Sequence, residues 1–234
     1  MFIFIILLFL GQQIVGSLDV IKPSESLLQY NKLLHLKSYR RSSLTSQPLE
    51  TVYVVVYYES LCEDSRDFFT TQLTAAYELL EPYLDVRLIP YGKATTKVVD
   101  SPEYYTFRCH HGPLECHGNK LHACALNIFP SEKNALVFNS CLMDYDHTGQ
   151  GSDDIAADKC GRALALNVKS IKQCASNDTG TFLHNYYGQR TRMTKFSYVP
   201  HILINGVRSN GTNLIADICA ILKSPPTGCK IFKP

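Results

Sequence analysis

Beyond its first residues the chain has no long apolar run, no predominance of one charge, no internal repeat and no low-complexity tract. Each absence excludes something. Lys and Arg number 23 against 21 Asp and Glu, so there is no basic field of the kind nucleic-acid binding requires. A bilayer span takes about 20 apolar helical residues, and nothing after residue 17 supplies them, so no membrane span is expected in the mature chain. No Gly-rich phosphate loop and no serine-protease motif occurs, and no cofactor is expected. The tyrosines at 53, 57, 58, 104, 105, 186 and 187 read as core and loop packing rather than a cofactor box.

What is present begins at the N-terminus. Phe2 to Leu10 is apolar and uncharged, Gln12 and Gln13 follow, and Gly16 and Ser17 are small. This is the pattern of a secretory signal peptide over residues 1–17, with Val15 and Ser17 at the small-residue cleavage positions. A buried core segment is the alternative. Residues 18–50 read as an N-terminal arm, propeptide or linker. Short helical apolar spacing at Leu27, Leu28, Leu33, Leu34 and Leu36 runs among basic residues up to Arg40-Arg41, either a processing site or part of a helix packed on the domain surface. Residues 51–234 form the structural domain.

Nine cysteines follow the apolar run: Cys62, Cys109, Cys116, Cys124, Cys141, Cys160, Cys174, Cys219 and Cys229. In an oxidising compartment this density means a disulfide framework, and an odd count leaves a thiol free or paired outside the chain. Cys62 is the natural leftover, with pairing to another cysteine as its alternative. The other eight can pair in about 105 ways; only Cys219–Cys229, close in sequence, is singled out. The sequons at Asn177 and Asn210 suit a glycoprotein of the secretory pathway, whether secreted or delivered to the endosomal or lysosomal lumen.

Thr51 to Tyr58 is β-branched and aromatic throughout, as a strand buried on both faces is. Glu59 to Ser65 breaks it. Helical spacing then runs from Arg66 to Leu80, Pro82 closes it, and Asp85 to Tyr91 reads as a second strand, completing a βαβ unit. From about 92 to 196 strand pattern is sparse, with helices expected at Glu115–Phe129, Ile155–Val168 and Thr181–Tyr187. After Val199-Pro200, the apolar run His201 to Ile204 and the pair Asn205-Gly206 signal a hairpin, and Asn213 to Leu222 a last amphipathic helix.

Cys62 falls where the first strand gives way to the first helix. The unpaired N–H groups of a helix start favour a thiolate, whereas the neighbouring carboxylates of Glu63 and Asp64 oppose it. A dithiol reductase needs a second cysteine three residues on to release the mixed disulfide. Ser65 stands there.

The segment Tyr57-Tyr58-Glu59-Ser60-Leu61-Cys62 resembles the entry to the active site of the gamma-interferon-inducible lysosomal thiol reductase (GILT) family. Cys109, His111, Gly112, Glu115, Cys116, Asn119 and Cys124 are similar in identity and spacing to that family's signature, with His110 where glutamine is usual. The similarity runs from about Thr51 to Cys229 and is nearest to invertebrate GILT-like members. It implies a thioredoxin-like α/β fold with a large disulfide-rich helical insertion, and reduction of protein disulfides in acidic compartments. Residue by residue it implies Cys62 as nucleophile, Ser65 at the place of the resolving cysteine, and Pro200 as a cis-proline facing the sulfur, a trans turn proline being the alternative.

Cys109, His110, His111, Cys116, His117, His122 and Cys124 crowd into sixteen residues. In a reducing compartment this would suggest zinc; the secretory context favours disulfides, so no metal is expected and the histidines read as solvated loop residues that charge in acid. Three functions follow: a weak single-cysteine oxidoreductase acting on protein disulfides, a non-catalytic binder of an extracellular or cell-surface partner, or covalent capture of a partner through Cys62.

Overall fold

The computed structural model describes residues 50–99, 104–144 and 151–232. The expected signal peptide, and the expected arm apart from Glu50, lie outside them. Strand β1, Val52–Tyr58, is β-branched and aromatic, side chains that fit a pleated, packed surface. Its even-numbered residues Val52, Val54, Val56 and Tyr58 are fully buried. The opposite face is not uniformly covered: Tyr53 is 55% exposed, while Tyr57 is packed by the rings of Phe196 and His201. The reading of a strand apolar and buried on both faces therefore holds only toward its C-terminal end.

The chain then turns into α1, Glu63–Phe68, a π-helical turn at Phe69–Leu73 and α2, Thr74–Leu80. Helix begins three residues earlier than the apolar spacing indicated, because exposed Glu63 and Asp64 form its first turn. Strand β2, Leu84–Pro90, pairs with β1 in parallel register from Val52↔Leu84 to Tyr58↔Pro90.

The segment up to residue 196 is not wholly helical. It opens with an antiparallel ribbon, β3 at Thr95–Val99 and β4 at Tyr104–Arg108. Helices α3 (Pro113–Ile128), α4 (Glu132–Met143), α5 (Asp154–Ala163), α6 (Lys169–Ala175) and α7 (Asp178–Arg192) follow. Side-chain oxygens of Ser131, Asp153 and Asn177 accept backbone N–H bonds at the starts of α4, α5 and α7, the usual way of satisfying orphan donors. One helix was expected over 155–168; the chain leaves it at Leu164 and Ala165 takes φ 52°, which ends α5. Helix α3 packs on α4, α6 and α7. Cys124–Cys174 ties α3 to α6 and Cys141–Cys160 ties α4 to α5. Closing a span of 50 residues is worth about 4 kcal/mol through the unfolded chain's lost entropy.

Strand β5, His201–Ile204, returns antiparallel beside β1 and pairs with β6, Val207–Ser209. Asn205 and Gly206 take φ 48° and 81° between them, the left-handed pair a tight hairpin demands. Helix α8, Leu214–Ile221, follows. The sheet order is β2-β1-β5-β6. One core joins the buried side of β1 to Phe68, Phe69, Leu73, Ala76 and Leu80, to Leu214 and Ile218 of α8, and to Leu136 and Met143 of α4. A βαβ half, an insertion and a ββα half sharing one sheet is the arrangement of a thioredoxin-like fold.

A buried polar chain fastens α3 to the end of β1. Ser152 Oγ lies 3.3 Å from the Leu142 carbonyl, which only accepts, so the hydroxyl donates there. His122 Nε2, 2.9 Å from the same oxygen, must then carry its proton and donate. Its Nδ1 accepts from the Tyr58 hydroxyl at 2.8 Å. His122 is thus a neutral, fully buried link rather than a solvated loop residue, and burial lowers its pKa to about 3. His184, wedged against Tyr91 and Phe107, is likewise held at about 3 by burial and, secondarily, by Lys120.

Both histidines take up a proton on unfolding below their ordinary pKa of about 6.5. Stability therefore falls as pH drops from about 6.5 towards 3, by about 2 kcal/mol per histidine at pH 5. Substituting His184→Phe removes one such contribution. Guanidinium denaturation at pH 7 and pH 5 should show the variant gaining about 2 kcal/mol relative to wild type on acidification; parallel pH dependences would contradict the assignment.

Candidate functional site

Four residues separate the end of β1 from α1, and they carry the site. Cys62 is the N-cap of α1 at φ −78° and ψ 124°, partly exposed, and is the free cysteine. Its carbonyl accepts from Arg66 N at 2.9 Å, and its Sγ lies 3.8 Å from the Val199 carbonyl oxygen. The Val199–Pro200 peptide is cis, and Val199 is the residue before it whose carbonyl meets the sulfur. Ser65, one turn into the helix, is fully buried, and its Oγ lies 3.5 Å from the Glu59 amide. Arg66 draws in the exposed carboxylates of Glu63, at 3.5 Å, and Asp67, at 3.1 Å; such surface pairs contribute little to stability.

The turn is fastened from behind by α3. Ser60 N donates to Asn119 Oδ1 at 2.9 Å, and Ser60 Oγ to the Glu115 carbonyl at 3.2 Å. Gly118 faces the same point: a Cβ there would lie 2.5 Å from Ser60 Oγ and 2.8 Å from the Ser152 carbonyl. Glu115, Gly118 and Asn119 follow the i, i+3, i+4 spacing that places side chains on one helix face. The disulfide Cys109–Cys116 closes the entry to α3, and Gly112 turns it at φ 86°.

Glu59 is fully buried. Its Oε1 accepts from the Lys93 amide at 2.6 Å, and its Oε2 lies 3.3 Å from His110 Nδ1 and 3.5 Å from His111 Nδ1. Burial raises its pKa; the Lys93 amide opposes that rise, and the nearby Glu115 carboxylate adds to it. Glu115, also fully buried, accepts from the His111 amide at 3.1 Å on Oε1 and is in close contact with His111 Nδ1 through Oε2.

The sequence-derived residues thus fall into two groups. Cys62 meets the Val199 carbonyl just before Pro200, with Ser65 one turn into α1, and Cys109, His111, Gly112, Glu115, Cys116 and Asn119 form the support behind it. Cys124 with Cys174, Cys141 with Cys160, and Cys219 with Cys229, a tie between α8 and the tail, lie in other disulfides. Asn177 and Asn210 are exposed. Cys109, Cys116 and His184 come within metal-binding reach, but the two sulfurs are joined to each other and offer no thiolate. The sequence reading places Glu59 and Ser60 only in the segment leading to Cys62, with no role of their own, and gives Lys93 and Gly118 no role. A charged residue directly after an unbroken apolar strand was the available signal for Glu59.

A thiol at a helix start, beside the peptide before a proline that opens β5, is an arrangement for thiol–disulfide exchange. Residues 53–164 match the sequence profile described as Gamma interferon inducible lysosomal thiol reductase (GILT). GILT-like protein 1 of Drosophila melanogaster is 31% identical over 202 residues, covering 77% of this chain and 79% of the relative. The gamma-interferon-inducible lysosomal thiol reductase of Carassius auratus is 31% identical, covering 76% and 72%. Among solved structures, MdbA, a thiol-disulfide oxidoreductase from Actinomyces oris, superposes with a TM-score of 0.56 at 11% identity, over 76% of this chain and 83% of that one. That likeness speaks to the fold, which is thioredoxin-like, and the sequence relationships speak to descent: the chain belongs to the gamma interferon inducible lysosomal thiol reductase family.

Proposed function

We propose that this protein is a secretory-pathway member of its family whose Cys62 undergoes thiol–disulfide exchange with protein disulfides, but whose turnover as a dithiol reductase is weak or absent. The observation that carries this reading is the state of the nine cysteines. Eight are joined in four pairs and Cys62 is free, while Ser65 occupies the position three residues on. The Cys62 thiolate attacks a substrate disulfide, a sulfur–sulfur bond forms to Cys62, and the other substrate sulfur leaves as a thiolate. In a dithiol enzyme the second cysteine then expels the reduced substrate, completing a two-electron reduction. A serine hydroxyl cannot make that disulfide. Release therefore requires an external thiol, such as glutathione or a substrate's own second cysteine.

Passage through an oxidising compartment is supported by the four disulfides, the exposed sequons at Asn177 and Asn210 and the apolar run at residues 2–10, which we read as a signal peptide. Among the described residues no helix is long and apolar enough to cross a membrane. Lysosomal delivery is the address in the printed name of the Carassius auratus relative, and we extend it to this chain as one of two destinations, the other being secretion.

Turbidimetric insulin reduction by dithiothreitol, at pH 4.5 and pH 7, tests the reading with wild type, Cys62→Ser and Ser65→Cys. Wild type is expected to exceed Cys62→Ser slightly or not at all, and Ser65→Cys to raise the rate at least about tenfold, because it restores the intramolecular release step. A wild-type rate equal to that of Ser65→Cys would overturn the proposal. Equal, background rates for all three variants would move the function to binding of a partner without redox chemistry.

A further inference from the structure

Behind the Cys62 turn, four side chains converge that exchange chemistry does not use. Glu59 Oε2, His110 Nδ1 and His111 Nδ1 lie within 4.8 Å of one another, and Glu115 Oε2 contacts His111 Nδ1 directly. We propose that Glu59, His110 and His111 form a binding site for a divalent transition-metal ion of the zinc class, with Glu115 held against His111 beside it.

Spacing, charge and support agree. Ligands about 2.0–2.1 Å from a tetrahedral zinc ion stand roughly 3.3–3.4 Å apart; Glu59 Oε2 is 3.3 Å from His110 Nδ1 and 3.5 Å from His111 Nδ1. The Glu59 ligand and the adjoining Glu115 carboxylate place two negative charges beside two imidazoles, matching a divalent cation. Two nitrogen ligands favour zinc-like ions over calcium or magnesium, which take oxygen. Each carboxylate has one oxygen held by a backbone amide, Glu59 by Lys93 N and Glu115 by His111 N, leaving Oε2 aimed into the cluster. Such outer hydrogen bonds orient metal ligands. The carboxylates are fully buried while His110 and His111 are 49% and 36% exposed, so the imidazoles form the entry and the acids the floor. A metal takes neutral imidazole and ionised carboxylate, so any proton on these ligands leaves to solvent on binding. His110 is the residue at which this chain departs from the family signature, and it supplies the third protein ligand. The site holds whether or not Cys62 turns over.

Metal-free protein titrated calorimetrically with ZnCl2 near pH 7 is expected to bind one equivalent, equally in wild type and Cys62→Ser, which excludes the thiolate as ligand. His110→Gln, an exposed substitution that leaves the fold in place by circular dichroism, should weaken binding about 100-fold or more, since loss even of an outer-shell partner costs 10–100-fold. Zinc should raise the melting temperature of wild type but not of His110→Gln, and bound Co2+ should show a four-coordinate visible spectrum without a thiolate charge-transfer band. Unchanged affinity in His110→Gln, loss of binding in Cys62→Ser, or no heat of binding in wild type would each overturn the assignment.

Discussion

The Ser60 amide and hydroxyl both bond to α3, in space closed to solvent, and the placement of the Cys62 sulfur follows from those bonds. A buried donor left without a partner costs about 1–3 kcal/mol, so the turn between β1 and α1 has little freedom to adopt another path. Gly118 permits the approach, since any side chain there would strike Ser60 or Ser152. From this contact the rest can be traced outward. The Cys109–Cys116 disulfide and the left-handed Gly112 set where α3 starts, the Tyr58–His122–Ser152 chain sets its height against β1, and Cys124–Cys174 holds its far half to α6. The residues that resemble the family signature are therefore mostly a mount for the Cys62 turn and do not themselves touch the sulfur.

Charge around the turn is arranged in two layers. Glu63 and Asp64 project into water, where screening weakens their hold on the sulfur, and Arg66 lies beside Glu63. Glu59 and Glu115 lie inward, fully buried, with His110 and His111 between them and solvent. Between the layers Cys62 sits at the start of a helix that runs, through its π turn, from Glu63 to Leu80. The outer acids are exposed, whereas the inner pair is fixed by backbone amides.

Much of the scaffold was legible because it is written in continuous pattern. The apolar run of β1, the spacing of α1 and α2, and Asn205-Gly206 with its two positive φ angles each have local physical causes. The β3–β4 ribbon was not legible, since most of its residues are exposed and it presents no apolar face to read. Helix α4 had a readable stripe in Leu136, Phe138, Leu142 and Met143, all buried, but the cysteine-rich setting obscured it. The end of α5 depends on a positive φ at Ala165, for which alanine gives no signal. Counting cysteines leaves a thiol over without saying which, and the pairing of the other eight is a property of proximity in space. Histidine is equally mute in sequence: His122 and His184 are neutral core links, while His110 and His111 face two buried acids.

On the proposed reading, Cys62 can open a disulfide, and with the other eight cysteines already paired no second thiol of the chain finishes the reaction. Intact-protein mass spectrometry after incubation with excess oxidised glutathione, followed by removal of the reagent, tests this directly. The account predicts a single glutathione adduct, mapped to Cys62, that persists until a thiol is added. An adduct that disappears without added thiol, through a new internal disulfide, would contradict it, as would the absence of any adduct at Cys62.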